Sequence, residues 1–165
     1  MKFLLLLTLL ATPVFCQSLP IERGWKRIKV FKTDRRYVEK ILGGSNPRTV
    51  NSEVSYSTKD GLFHFVYAVS PCSDKGDGRF RVPKGTVLEY NIFFKNGIAL
   101  SEFKWNSKLY ERSPSPDQPG IYYYNNLENG IMFSTDIRDG VEKVLVVYFN
   151  RTQRDISRLT CKGLN

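Results

Sequence analysis

Gly85-Thr86-Val87-Leu88-Glu89-Tyr90-Asn91-Ile92-Phe93-Phe94-Lys95-Asn96-Gly97 is the stretch on which the fold reading turns. Apolar or β-branched residues stand at 86, 88, 90, 92 and 94, the period of two that marks a strand with one buried face. Asn96-Gly97 tolerates positive φ at both positions, as a type I′ hairpin turn requires. A hairpin turning there places Ile92 opposite Ser101, Tyr90 opposite Phe103 and Leu88 opposite Trp105, with Glu89 meeting Lys104 on the other face. Packing and charge agree on that register.

Two more hairpins are predicted on either side. Asp60-Gly61 would turn one in which Tyr56 faces Phe65, Val54 faces Tyr67 and Thr58 faces Phe63, with Ser57 and His64 on the more polar side. Asp139-Gly140 would turn another, pairing Thr135 with Val144, Asp136 with Lys143, Phe133 with Val146 and Ile131 with Tyr148. The apolar run Val144 to Phe149 reads as a central strand covered on both sides. Alternation over 26–32 suggests a first strand, and Arg79 to Val82 and Ile121 to Tyr124 read as short ones. Thr33 to Leu42 fits a short helix or an edge strand. The proline-rich 113–120 reads as a surface loop that cannot join a central strand. Seven to nine short strands at regular spacing predict an all-β, antiparallel, immunoglobulin-like sandwich.

Met1-Lys2 and the apolar run Phe3 to Leu10 have the form of an export signal, with cleavage expected after Cys16. Residues 17–165 would then form a single secreted domain. No second long apolar run follows, so stable membrane insertion is not expected. Cys72 and Cys161 remain, and in an oxidising compartment they most simply form one disulfide, closing a loop of about 90 residues. With two cysteines and one histidine, zinc is not expected, and no cofactor-binding pattern is found.

The chain has 25 Lys and Arg against 16 Asp and Glu, a net charge of +9. Loss of Lys2 with the signal leaves +8. Such a balance favours an anionic partner, whether a glycan, a lipid headgroup or a cell surface. The densest basic group is Arg23, Lys26, Arg27, Lys29, Lys32, Arg35 and Arg36. Nucleic acid is not the expected target of a secreted chain without a recognisable binding module.

Catalytic chemistry finds little to stand on. His64 is the sole histidine, with Ser57 as its expected cross-strand neighbour and no acid placed to orient the ring. Asp74 and Asp77, and Asp136 and Asp139, fit turn chemistry better than a pair of glycosidase carboxylates. Asp74 to Gly78 lacks the ligand spacing of a calcium loop. Binding rather than catalysis is therefore expected. Nine Tyr, eleven Phe and two Trp are abundant for this length. Rings that escape the core could stack on sugars, and the candidate ligand-binding residues are Phe80, Trp105, Tyr110, Tyr122 and Tyr124. Asn150-Arg151-Thr152 is an N-glycosylation sequon on Asn150.

The run from Asp77-Gly78-Arg79-Phe80 through Lys84-Gly85-Thr86 to Asn96-Gly97-Ile98-Ala99 resembles the second half of an insect β-1,3-glucan-recognition domain, the N-terminal module of the Gram-negative-bacteria-binding proteins. The resemblance implies an immunoglobulin-like sandwich that binds microbial glucan without catalysis, with Phe80 and Trp105 nearest the binding positions. Pro71-Cys72 followed by Pro83-Lys84-Gly85-Thr86 and an alternating strand is also similar to secreted lipid-recognition sandwiches of the MD-2-related type. A salivary or venom-type effector binding a host or microbial protein is the third expectation.

Overall fold

The computed structural model describes residues 20–43, 47–72 and 79–162. The expected signal segment 1–16 and the Asp74–Asp77 loop lie outside the described residues.

Among the described residues eight strands follow in chain order: β1 (Arg48–Val50), β2 (Glu53–Ser57), β3 (Gly61–Tyr67), β4 (Val87–Ala99), β5 (Glu111–Pro114), β6 (Ile121–Asn126), β7 (Ile131–Arg138) and β8 (Val141–Phe149). Helix α1 (Arg35–Leu42) precedes them and α2 (Gln153–Leu159) follows. The class is all-β and antiparallel, with a Cys72–Cys161 disulfide, as the sequence predicts. Hydrogen bonds join all eight strands into one sheet of order β1-β2-β3-β4-β8-β7-β6-β5. Two four-stranded meanders meet where β4 pairs with β8.

One sheet face carries the core. Phe65, Tyr90 and Phe149 stack across three adjacent strands, at 5.2 and 4.2 Å between ring centroids. Ile21, Ile28, Val38 and Leu42 from the N-terminal segment and α1, with Phe103 from the segment after β4, close over that face. The Tyr90 hydroxyl reaches through the core to donate to the Ile28 carbonyl at 3.0 Å, and it accepts from the Trp25 amide at 3.2 Å.

The Asn96-Gly97 hairpin does not form. Both residues lie inside β4, which bulges against β8: Phe93 pairs with Val146, and the next pair is Ile98 with Val144. Gly97 has φ +67°, and a Cβ there would stand 3.1 Å from the Lys143 Cβ. Of the two only Gly97 is left-handed, and it serves a bulge rather than a turn because a partner strand is available on the far side. Tyr90 therefore faces Phe65 and Phe149, not Phe103, and Glu89 pairs with Arg151 at 2.8 Å, not with Lys104.

The other two hairpins form with shifted registers. Four residues, not two, make the first turn, since Ser57 pairs with Leu62 and Tyr56 with Phe63. A shift of two keeps every side chain on its expected face. Gly61 lies flush against β4, where a Cβ would fall 2.0 Å from the Phe93 carbonyl oxygen. The third hairpin holds its expected register from Arg138–Val141 to Thr135–Val144, then slips by one at a bulge, so Phe133 meets Val147. β8 is interior to the sheet, with Val144, Val147 and Phe149 buried and Val146 and Tyr148 half-buried on the opposite side.

The expected strand at 26–32 is replaced by a 3-10 turn, Trp25–Arg27, and a further bend. Lys26, Arg27 and Phe31 all take positive φ, which an extended strand cannot accommodate. Thr33–Leu42 resolves as α1, capped by the Asp34 side chain accepting from the Tyr37 amide at 2.8 Å. Arg79–Val82 contributes a single bridge, Phe80 to Thr160, rather than a strand. Pro114 ends β5 at the sheet edge, the position proline tolerates.

Candidate functional site

The basic N-terminal stretch is bent around the start of β4. Phe31 N donates to Val87 O at 2.7 Å, Val87 N to Thr33 O at 2.8 Å, and Arg35 N to Gly85 O at 2.9 Å. Residues 20–43 hold eight Lys and Arg and three Asp and Glu, so +5 of the chain's +9 lies in this one strap.

Two clefts flank the strap. The first, about 540 Å3, runs between α1 and the Pro83–Thr86 turn, with Lys32, Arg35, Arg36 and Lys84 on its walls. Its two carboxylates are engaged: Asp34 caps α1, and Glu39 holds Arg35 at 2.7 Å. The second, about 380 Å3, lies between the strap, the β6–β7 turn and α2, with Lys29, Lys32, Arg154 and Arg158 among its walls. There Glu22 accepts from the Asn106 amide at 2.8 Å, and Asp155 accepts from Thr152 at 2.7 Å and lies 3.8 Å from Arg158. Lys32 lines both clefts, so they adjoin. Glu128 also lines the second cleft, so four cations stand against three carboxylates there and four against two in the first; the chemistry offered is a net-positive run suited to sulfate, phosphate or carboxylate groups.

The aromatic candidates are distributed differently. Trp105, Tyr110 and Tyr124 come together around Phe133, with Trp105 5.2 Å from Tyr124 and Tyr124 stacked on Phe133 at 4.6 Å. Tyr124 is buried, and its hydroxyl donates to Glu142 Oε1 and accepts from Arg112 Nε, both at 2.8 Å. Burial first, and then the bond to Glu142, push its pKa up. Tyr122 lies beneath the Arg112 guanidinium at 3.5 Å. Phe80 is buried in a separate cluster with Ala68, Val82 and Leu88, its ring 5.4 Å from the Arg151 guanidinium. These rings face one another or a cation. Asn150 is exposed at the end of β8 and lines the second cleft.

His64 finds Ser55 rather than Ser57. Ser55 Oγ stands 3.0 Å from Nδ1, and Glu53 Oε2 stands 3.5 Å from Nε2. All three side chains rise from β2 and β3, each paired on both sides, so the local backbone amides are taken up by the ladders. Glu53 is thus an acid placed to orient the imidazole ring, contrary to the expectation that none is, because the register of β2 against β3 sets it beside His64.

Sequence reasoning missed the contribution of Arg154, Arg158 and Lys84, which lie far in sequence from the dense basic group and meet it only in the fold. A signal was present: Thr152-Gln153-Arg154-Asp155 has capping-box form, and Thr152 Oγ1 does accept from the Asp155 amide at 3.1 Å.

Fold and clefts together define an all-β protein built on a single antiparallel sheet, with a strap of cations laid across one end. No family model, no curated protein and no solved structure matches the chain.

Proposed function

We propose that this is a secreted, non-enzymatic binding module for anionic glycans or comparably anionic extracellular surfaces, acting in defence or at a host interface. The observation that carries the reading is the pair of adjoining clefts that share Lys32, with Arg36, Lys84, Lys29 and Arg154 on their walls. Cations fixed on a folded frame attract a polyanion over about a Debye length and hold it by charge-assisted hydrogen bonds. This favours the charged branch of the glycan expectation over ring stacking, since the candidate aromatics are engaged with one another.

Retention on immobilised heparin tests it. The wild-type protein should elute at salt well above physiological, and Lys32→Glu with Lys84→Glu should elute markedly earlier. Lys95→Glu, remote on β4, should shift elution far less. Equal shifts for all three charges would reduce the finding to net charge. Absence of retention would move the reading to a protein partner on the opposite sheet face, where Leu62 and Phe93 are 43% and 37% exposed.

A further inference from the structure

Asn150 stands at the junction of three elements. Its backbone N–H donates to the Gly130 carbonyl at 2.7 Å, pinning the end of β8 to the β6–β7 turn. Gly130 has φ +65°, and a Cβ there would fall 2.3 Å from the Asn150 carbonyl oxygen, so the two backbones touch with no room for a side chain between them. Two residues on, Thr152 starts α2, which carries Arg154 and Arg158 to the same cleft. The asparagine is thus held on a fixed backbone, exposed, on the wall of a cleft of about 380 Å3, a volume within the range of small-molecule sites.

We propose that Asn150 is an N-glycan acceptor whose innermost sugars occupy the second cleft, so that glycosylation and anionic-ligand binding there exclude each other. The exclusion rests on the anionic reading above; the acceptor role does not. The donor is a polyprenyl-diphosphate-linked oligosaccharide. A bond forms between Asn150 Nδ2 and the anomeric carbon of the first sugar, the bond from that carbon to the diphosphate oxygen breaks, and the amide proton passes to a base as the polyprenyl diphosphate leaves. Transfer precedes folding, so the Thr152 hydroxyl is free for the sequon before it caps α2. Once attached, a neutral sugar beside Lys29, Lys32, Arg154 and Arg158 covers their charge without adding any. The first cleft, on the far side of Lys32, stays open. The modification would thereby divide one continuous cationic track into a covered and an uncovered half.

The test compares three proteins from a secreting eukaryotic host: wild type, Asn150→Gln, and Thr152→Ser, which preserves the sequon. Intact mass reads occupancy, and heparin titration reads affinity. Wild type and Thr152→Ser should carry a glycan that Asn150→Gln lacks, and Asn150→Gln should bind heparin roughly tenfold more tightly. A wild-type mass without glycan overturns the acceptor assignment. A glycan present with unchanged heparin affinity overturns the exclusion. If Asn150→Gln fails to bind heparin at all, the anionic reading and the exclusion fall together, while the mass result still decides the acceptor role.

Discussion

At the scale of single residues, Tyr90 ties the N-terminal strap to the sheet. Its ring is enclosed between Phe65 and Phe149, and its hydroxyl serves the Ile28 carbonyl and the Trp25 amide. Tyr90→Phe keeps the ring and removes both bonds, leaving a buried acceptor and a part-buried donor without a partner. The expected cost is about 1–3 kcal/mol, read as a lower urea midpoint at unchanged slope. An unaltered midpoint would show that the strap is held by apolar contact and its backbone bonds to β4, without the Tyr90 hydroxyl. Gly61 and Gly97 matter for a different reason: at Gly61 the backbone of β4 occupies the space a side chain would need, and at Gly97 a left-handed φ of +67° is combined with close contact to the Lys143 and Leu145 side chains.

At the scale of elements, α2 depends on the residue just before it. Thr152 caps the helix, and the disulfide anchors its far end at Cys161. In protein made without glycan, Thr152→Val should lose about 1 kcal/mol, and Thr152→Ser should retain most of the wild-type stability, as equilibrium denaturation would show. A loss confined to Thr152→Ser would point to the methyl group, which valine keeps and which packs near Gly130, rather than the hydroxyl. Elements also mark where the sequence was readable. Asp139-Gly140 named its turn correctly: Arg138 pairs with Val141 across it, and both turn residues take positive φ. Asp60-Gly61 and Asn96-Gly97 have the same local chemistry, yet one sits at the end of a longer turn and the other inside a strand. An Asn-Gly pair specifies a backbone conformation, and whether it becomes a turn or a bulge depends on partners distant in sequence: here β8, almost fifty residues away. The alternation at 26–32 misled in the same way. Ile28 is buried and Val30 packs against the core, but on a left-handed bend. Of the site, the basic cluster was legible as composition. Its division into two clefts was not, because Lys84 and the α2 arginines join it only through the fold.

At the scale of the whole molecule, the interior is rich in tyrosine, and that sets a pH limit. Burial is the leading cause that raises the pKa of Tyr67, Tyr90, Tyr110, Tyr124 and Tyr148 above the ordinary 10.0. Their folded values exceed their unfolded ones, so as pH rises the unfolded chain loses protons first. The contribution is complete below pH 10 and drains away above it, at about 1.4 kcal/mol per pH unit for a fully buried ring such as Tyr90. Denaturation midpoints should therefore be insensitive to these groups from neutrality to about pH 9 and fall steeply by pH 11. Tyrosinate absorbance should rise in two stages, with the later one coinciding with unfolding. A single titration centred near 10 would contradict the burial of these hydroxyls.

The disulfide has a mechanical consequence. It joins residues 89 apart in sequence across a Cα–Cα distance of 5.5 Å. A pull on the two ends of the chain therefore passes from the first three strands directly through the sulfurs to the last residues. Everything from β4 to α2 hangs on a covalent loop that carries no tension. In the oxidised protein, about 300 Å of potential extension is thereby withheld, at roughly 3.5 Å per residue. The strap and its cations lie on the loaded side of that bond, with Arg154 and Arg158 on the sheltered side. Tension would draw the two walls of the second cleft apart while leaving the sheltered wall folded.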